Sequence, residues 1–147
     1  LLELHRLISG YEFRRSIAFE RFHQFDRLST VLREGRLADG QELDSHGYQN
    51  ALQELTGLRS NLARAFQEVD VIATPSAASP APRTLAATGS AAFNSAWSLA
   101  GNPVISLPLF NSRESGLPIG CQFIVGFAKD NLLLAASKEI MAAFEIT

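Results

Sequence analysis

Between Ala73 and Ala96 the chain is built almost wholly of small residues: of these 24 positions, 20 are Ala, Ser, Thr, Pro or Gly, the exceptions being Arg83, Leu85, Phe93 and Asn94. This stretch is a long loop, and it is too apolar to be a flexible linker. Long structured loops in compact domains are disproportionately functional, so it reads either as a pocket wall or as a packed surface connection.

What surrounds the loop sets the fold class. Val71-Ile72-Ala73 is a short β-branched run ended by Pro75, the pattern of a buried strand leaving a sheet. After the loop, Phe93 to Ala100 predicts a short helix closed by Gly101, and Val104 to Leu107 a second strand ended by Pro108. Gly116-Leu117-Pro118 marks a turn into a third strand, Ile119 to Val125, where Ile119, Cys121, Phe123 and Val125 alternate with Gly120, Gln122 and Ile124. Asp130 is expected to cap a closing helix through Phe144, with Leu133, Ala136, Ile140, Met141 and Phe144 on its inner face.

The first half is different in kind. Of the 28 charged residues, 20 lie at positions 1–70, with all three histidines. Tyr48, Ala51, Leu52, Leu55, Leu58, Leu62, Ala65, Phe66 and Val69 recur at three-and-four spacing, which predicts a helix from about Ser45 to Glu68. An earlier stretch from about Ser9 to Leu28 predicts another, with Tyr11, Ala18, Phe22 and Phe25 along one stripe. A short third helix is expected from Leu28 to Leu37, stopped by Asp39-Gly40. The architecture is thus α/β in a single domain over 1–147, helical over 1–69, with strands, structured loop and closing helix over 70–147.

Composition narrows the function classes. A chain of 147 residues, 46% apolar and 19% charged, belongs with packed globular domains. A net charge of −2 with interspersed signs gives no footprint for nucleic acid or for an anionic membrane, and neither partner is expected. The single cysteine, Cys121, cannot form an internal disulfide, so a reducing compartment and a cytoplasmic location are expected. The start, Leu1-Leu2-Glu3-Leu4, reads as a cut end rather than a signal peptide.

Nucleophilic hydrolysis requires a hydroxyl or thiol beside a base, with donors aimed at the developing oxyanion. Serines are plentiful here, but from position 71 onward there is no histidine, and the only lysines are Lys129 and Lys138. Ser137-Lys138 makes a poor dyad, because neighbours on a helix do not face each other. Cys121 shares a strand face with Ile119, Phe123 and Val125, where a thiol acts as a small hydrophobe. His5, His23 and His46 lack metal-ligand spacing, and no metal or cofactor is expected. No glycine-rich phosphate cradle or paired-carboxylate motif occurs. Composition and spacing stop there.

Three ordered blocks go further. Asp70-Val71-Ile72-Ala73-Thr74-Pro75, then Phe93-Asn94-Ser95-Ala96-Trp97-Ser98-Leu99-Ala100-Gly101-Asn102-Pro103-Val104-Ile105-Ser106-Leu107-Pro108, then Gly116-Leu117-Pro118-Ile119-Gly120-Cys121-Gln122-Phe123-Ile124-Val125-Gly126 resemble the C-terminal part of the amidase signature family. Leu28 to Arg33, Tyr48 to Ala51 and Asp130 to Leu133 resemble its flanking helices, so the similarity covers nearly the whole chain. The resemblance implies the C-terminal part of the amidase signature fold, helices packed on a partial mixed sheet, from a serine hydrolase acting on carboxamides through a Ser, cis-Ser, Lys triad. That triad belongs to a glycine- and serine-rich signature preceding the portion seen here. Gly89-Ser90-Ala91-Ala92 lacks its repeated glycines and serine pair, so no catalytic residue carries over.

The family's glutamine-using amidotransferase chain of the A type carries an acidic residue about ten positions before the glycine matching Gly101. Ala91-Ala92 stands there, which implies a small, fairly apolar amide as substrate. Asn94 and Trp97 are the substrate-binding candidates: an amide can orient a carboxamide, and a large aromatic beside a small-residue loop can define an apolar wall. The alternative for Trp97 is ordinary core. For the whole chain the alternatives are a non-enzymatic binding or scaffold module and part of an amidotransferase A-type subunit. The resemblance also implies that strands outside this chain flank its own, so self-association through uncovered surface is expected.

Overall fold

The computed structural model describes residues 1–84 and 88–144, which form two units, Leu1–Leu58 and Arg59–Thr147. The centre of the small-residue loop, 85–87, lies outside the described residues.

In the first unit, α1 (Leu2–Ser16) buries Leu4, Ile8 and Tyr11, the four-and-three spacing of a single helical face, together with Gly10, which abuts Asp39 and Gly40. Non-helical backbone at Ile17 ends it, α2 (Ala18–His23) restarts at once, and a 3-10 turn, Phe25–Arg27, follows. The expected helix from Ser9 to Leu28 is therefore corrected: it starts earlier and is interrupted at Ile17 and Gln24. Its apolar stripe fails with it. Tyr11 is buried, whereas Phe22 and Phe25 are 72% and 45% exposed, because the break at Ile17 rotates the residues after it out of the face begun by Tyr11.

The short helix expected from Leu28 to Leu37 forms from Thr30, with a wide π turn, Leu32–Arg36, at its centre that runs into α3 (Leu37–Asp39), and it stops at Gly40. The helix α4 (Ser45–Glu68) matches its expected bounds. Asp44 begins it, its carboxylate accepting the Gly47 N–H at 2.7 Å and so satisfying a donor the helix cannot. Tyr11 stacks on Tyr48 with centroids 4.2 Å apart, and Tyr48 donates its hydroxyl to Glu12 at 2.7 Å. The Arg6 guanidinium donates to the carboxylates of Glu3, Asp39 and Glu42, tying α1 to the α3 end.

In the second unit, β1 (Val71–Pro75), β2 (Val104–Asn111) and β3 (Pro118–Val125) form a sheet in the order β1-β3-β2, both pairings antiparallel. Helices and sheet together make the α/β class read from the sequence. Strand β2 does not stop before Pro108 as expected but continues to Asn111. Among the described residues it pairs with β3 alone, and its register shifts between Leu107 and Phe110, so the nitrogen that cannot donate sits where the ladder is already broken.

One face of the sheet carries Leu107, Phe123 and Val125 against Leu133 of α6 (Asp130–Ala143), with Val71, Ile105, Cys121, Ile140 and Met141 packed around them. Two details of α6 depart from expectation. Asp130 is its first helical residue, not its cap, and makes no capping hydrogen bond; its charge instead suits the positive end of the helix. Phe144 lies past the helix end, half exposed, with its ring edge-on to Phe110 at 6.0 Å.

Candidate functional site

The opposite face of the sheet is polar at its centre. Antiparallel register sets Thr74 of β1 and Ser106 of β2 against Gln122 of β3, and the two-residue period of strands puts Ser76 and Gly120 on that same face. Ser76 follows β1, its N–H donating to the Gly120 carbonyl at 2.9 Å. The Ser76 and Ser106 hydroxyls lie 2.5 Å apart. Gly120 leaves room for this pair: a Cβ there would sit 2.7 Å from each hydroxyl oxygen.

Gln122 is 1% exposed. Its Nε2 donates twice, to Thr74 Oγ1 at 2.8 Å and to the Phe93 carbonyl at 2.7 Å. Both amide hydrogens are used, which makes burial of so polar a group tolerable. Next in the chain, Asn94 Nδ2 donates to the Ser76 carbonyl at 3.2 Å, drawing together the two ends of the loop over residues 76–94. The short helix α5 (Ser95–Ala100) follows. Ser95 is buried and bonds back to the Ala91 carbonyl at 3.0 Å. At the far end Gly101 takes the left-handed conformation expected of it, φ +78, and Arg59 Nε donates to the Ala100 carbonyl at 3.0 Å. Asn102 Nδ2 then donates to the Val125 carbonyl at 2.8 Å. Side chains from the sheet, α4 and the chain just past α5 thus hold a helix too short to hold itself.

The two residues singled out in the sequence fall at this tethered helix. Asn94 is exposed and precedes it; Trp97 is half-buried within it. A cavity of about 240 Å³ lies under the loop, lined by Ala77, Ser79, Pro80, Ser90, Ile119 and Gly120 among others. Asn94 and Trp97 are outside its lining. The residues that sequence reasoning missed are Thr74, Ser76, Ser106 and Gln122. The signal for the last was present: a glutamine between Cys121 and Phe123 in a strand otherwise apolar.

The remaining chemical candidates are engaged elsewhere. Ser137 is buried and donates to the Leu133 carbonyl at 2.7 Å, the bond of a helix hydroxyl to its own backbone, while Lys138 is exposed. Burial pushes the Cys121 thiol above its ordinary value, which suppresses the thiolate and with it nucleophilicity. Among the described residues no group of three His, Cys, Asp or Glu is placed to hold a metal, and no helix is long and apolar enough to cross a membrane.

Comparison with known proteins places this arrangement. The profile of the family described as Amidase matches residues 18–134. The putative amidase AmiC of Mycobacterium leprae is 32% identical over 119 residues, covering 69% of this chain and 25% of that protein. The A chain of the glutamyl-tRNA(Gln) amidotransferase of Deinococcus deserti is 37% identical over 111 residues, covering 67% of this chain and 23% of that protein. A crystal structure of an amidase superimposes with a TM-score of 0.86 at 26% identity, over 97% of this chain and 35% of that one. This chain spans about a quarter of the length of these curated relatives. With the family profile covering most of its residues, the chain belongs to the amidase family.

Proposed function

We propose that this chain is the C-terminal part of an amidase that hydrolyses the carbon–nitrogen bond of carboxamides. In this reading it supplies a substrate wall, and a Ser, cis-Ser, Lys set outside the chain performs the chemistry. The observation that carries the reading is the stem of the small-residue loop, where the Asn94 amide is fixed to the Ser76 carbonyl beside a half-buried Trp97. A primary carboxamide offers N–H donors, a carbonyl acceptor and an apolar substituent. Asn94 Oδ1 accepts from the substrate N–H, and the Trp97 ring meets the substituent.

The chain alone is accordingly expected to turn over no aryl or aliphatic amide above a buffer blank, because in this reading nucleophile, base and oxyanion donors lie outside it; turnover abolished by a substitution within 1–147 contradicts this. In the complete enzyme, Trp97→Ala changes the ratio of kcat/KM between a small apolar amide and a bulkier one by about tenfold or more, the scale on which apolar pockets discriminate. Loss of soluble protein with an unchanged ratio marks Trp97 as core.

The identity to the amidotransferase A chain favours a second reading, in which the parent protein takes its amide from glutamine for a partner protein. The small residues Ala91-Ala92 before α5 speak for an apolar amide instead. Offering the complete enzyme glutamine and propionamide side by side separates the two.

A further inference from the structure

We infer that Gln122 is the positioning residue of the segment over residues 93–97, the buried anchor that sets where Asn94 and Trp97 stand over the sheet. The sheet itself does not require it. Backbone pairing of β3 with β1 and β2 is independent of the residue at 122, and an apolar side chain of similar volume suits a fully buried strand position. What the amide alone supplies is the bond to the Phe93 carbonyl, 29 residues away in sequence. Phe93 lies one residue before the capping position of α5, so its carbonyl has no place in the helix ladder, where the Asn94 carbonyl accepts first, from Ser98. The second amide hydrogen goes to Thr74 Oγ1, which fixes the rotation of the amide so that the first points at Phe93.

A helix of six residues has no stiffness of its own to oppose displacement. Its C-terminal end keeps Arg59 and Asn102 whatever happens at Gln122. Among the described residues, two side-chain bonds tie its N-terminal end to β3 and to the residue after β1, Gln122 to Phe93 and Asn94 to Ser76, while the Ser95 hydroxyl bonds only back to the nearby Ala91 carbonyl. Removing the first leaves, of these two, only the bond made by the residue assigned to the substrate. The consequence for catalysis rests on the proposed role of Asn94 and Trp97; the positioning itself does not.

Trp97 is the only tryptophan, so its emission reports this segment directly. Gln122→Leu is expected to shift Trp97 emission and to raise its quenching by acrylamide, with far-ultraviolet circular dichroism and a cooperative melt retained. Thr74→Val removes the bond that orients the amide while the Phe93 acceptor stays in place, and is expected to shift the emission in the same direction by less. Gln122→Met, unbranched and close in length to glutamine, carries the same expectation as the leucine variant. Unchanged emission and quenching in a folded Gln122 variant overturns the inference. So does failure of both variants to fold, since a positioning residue is one the sheet can form without. In the complete enzyme the same variants lower kcat/KM for a carboxamide on the order of tenfold to a hundredfold, as misplacement by about 1 Å does. A shifted Trp97 signal with unaltered kcat/KM upholds the positioning role and refutes the substrate wall.

Discussion

Two glycines show how one residue type takes opposite signs. Gly101 sits at φ +78 after α5, and a Cβ there would meet Phe127 only at ordinary contact, 3.6 Å. Strain from the backbone, not crowding, makes Gly101→Ala destabilising, by about 1–2 kcal/mol. Gly57 lies within α4 with nothing near its absent Cβ, so Gly57→Ala stabilises by about 0.5–1 kcal/mol. Urea denaturation of the pair checks both signs. A third residue ties stability to pH. Burial, and secondarily the charge of Arg36, hold the His5 imidazole below its ordinary value of 6.5. The unfolded chain then binds the proton more readily, so stability is intact above pH 6.5 and eroded as pH falls through that value toward the lower folded one. His5→Gln removes this part of the slope, and midpoints measured from about pH 7.5 to about pH 5 report the difference.

At the scale of elements, what was legible in the sequence was whatever a single period governs. The helix from Ser45 to Glu68 and the alternation of Ile119 to Val125 follow from one apolar pattern each, and both form within a residue of their expected bounds. The stretch from Ser9 to Leu28 was misread because a period carried across Ile17 assumes an unbroken helix, and nothing in the residue types there announces the break. Pro108 misled for the opposite reason. A proline stops a strand only where its nitrogen is needed, and whether β2 is an edge depends on partners that periodicity does not name. The residues around α5 differ in how far the sequence shows them. Asn94 and Trp97 were readable as an amide and a large aromatic beside a small-residue loop, and their role is a proposal, but the polar row of Thr74, Gln122 and Ser106 exists only through cross-strand register, with 48 positions separating the first two.

For the whole molecule, exposed apolar surface decides behaviour in dilute solution. In the second unit Phe110 and Leu134 are 51% and 61% exposed, and Ile105, Leu134 and Met141 border an open groove of about 400 Å³. Covering ~1,000 Å² of such surface is favourable by roughly 25 kcal/mol gross, above the roughly 4–15 kcal/mol that association costs. Self-association into a dimer or higher oligomer is the expected outcome in sedimentation at tens of micromolar, with Phe110→Ser and Leu134→Ser moving it toward monomer; a monomeric wild type shows the expectation wrong. The sheet also dictates an order of assembly. Six residues, 112–117, join β2 to β3, whereas 45 residues separate Pro75 of β1 from its partner Cys121. Closing the longer loop costs about 1.8 kcal/mol more chain entropy, so the hairpin forms first and β1 docks last, bringing Thr74 to Gln122 only then. In stopped-flow refolding, Ile124→Val is expected to slow folding while Ile72→Val chiefly speeds unfolding. The Thr74 side of the polar row is therefore expected to assemble after the hairpin and to open before it, so the backbone N–H groups of β1 exchange ahead of those paired between β2 and β3.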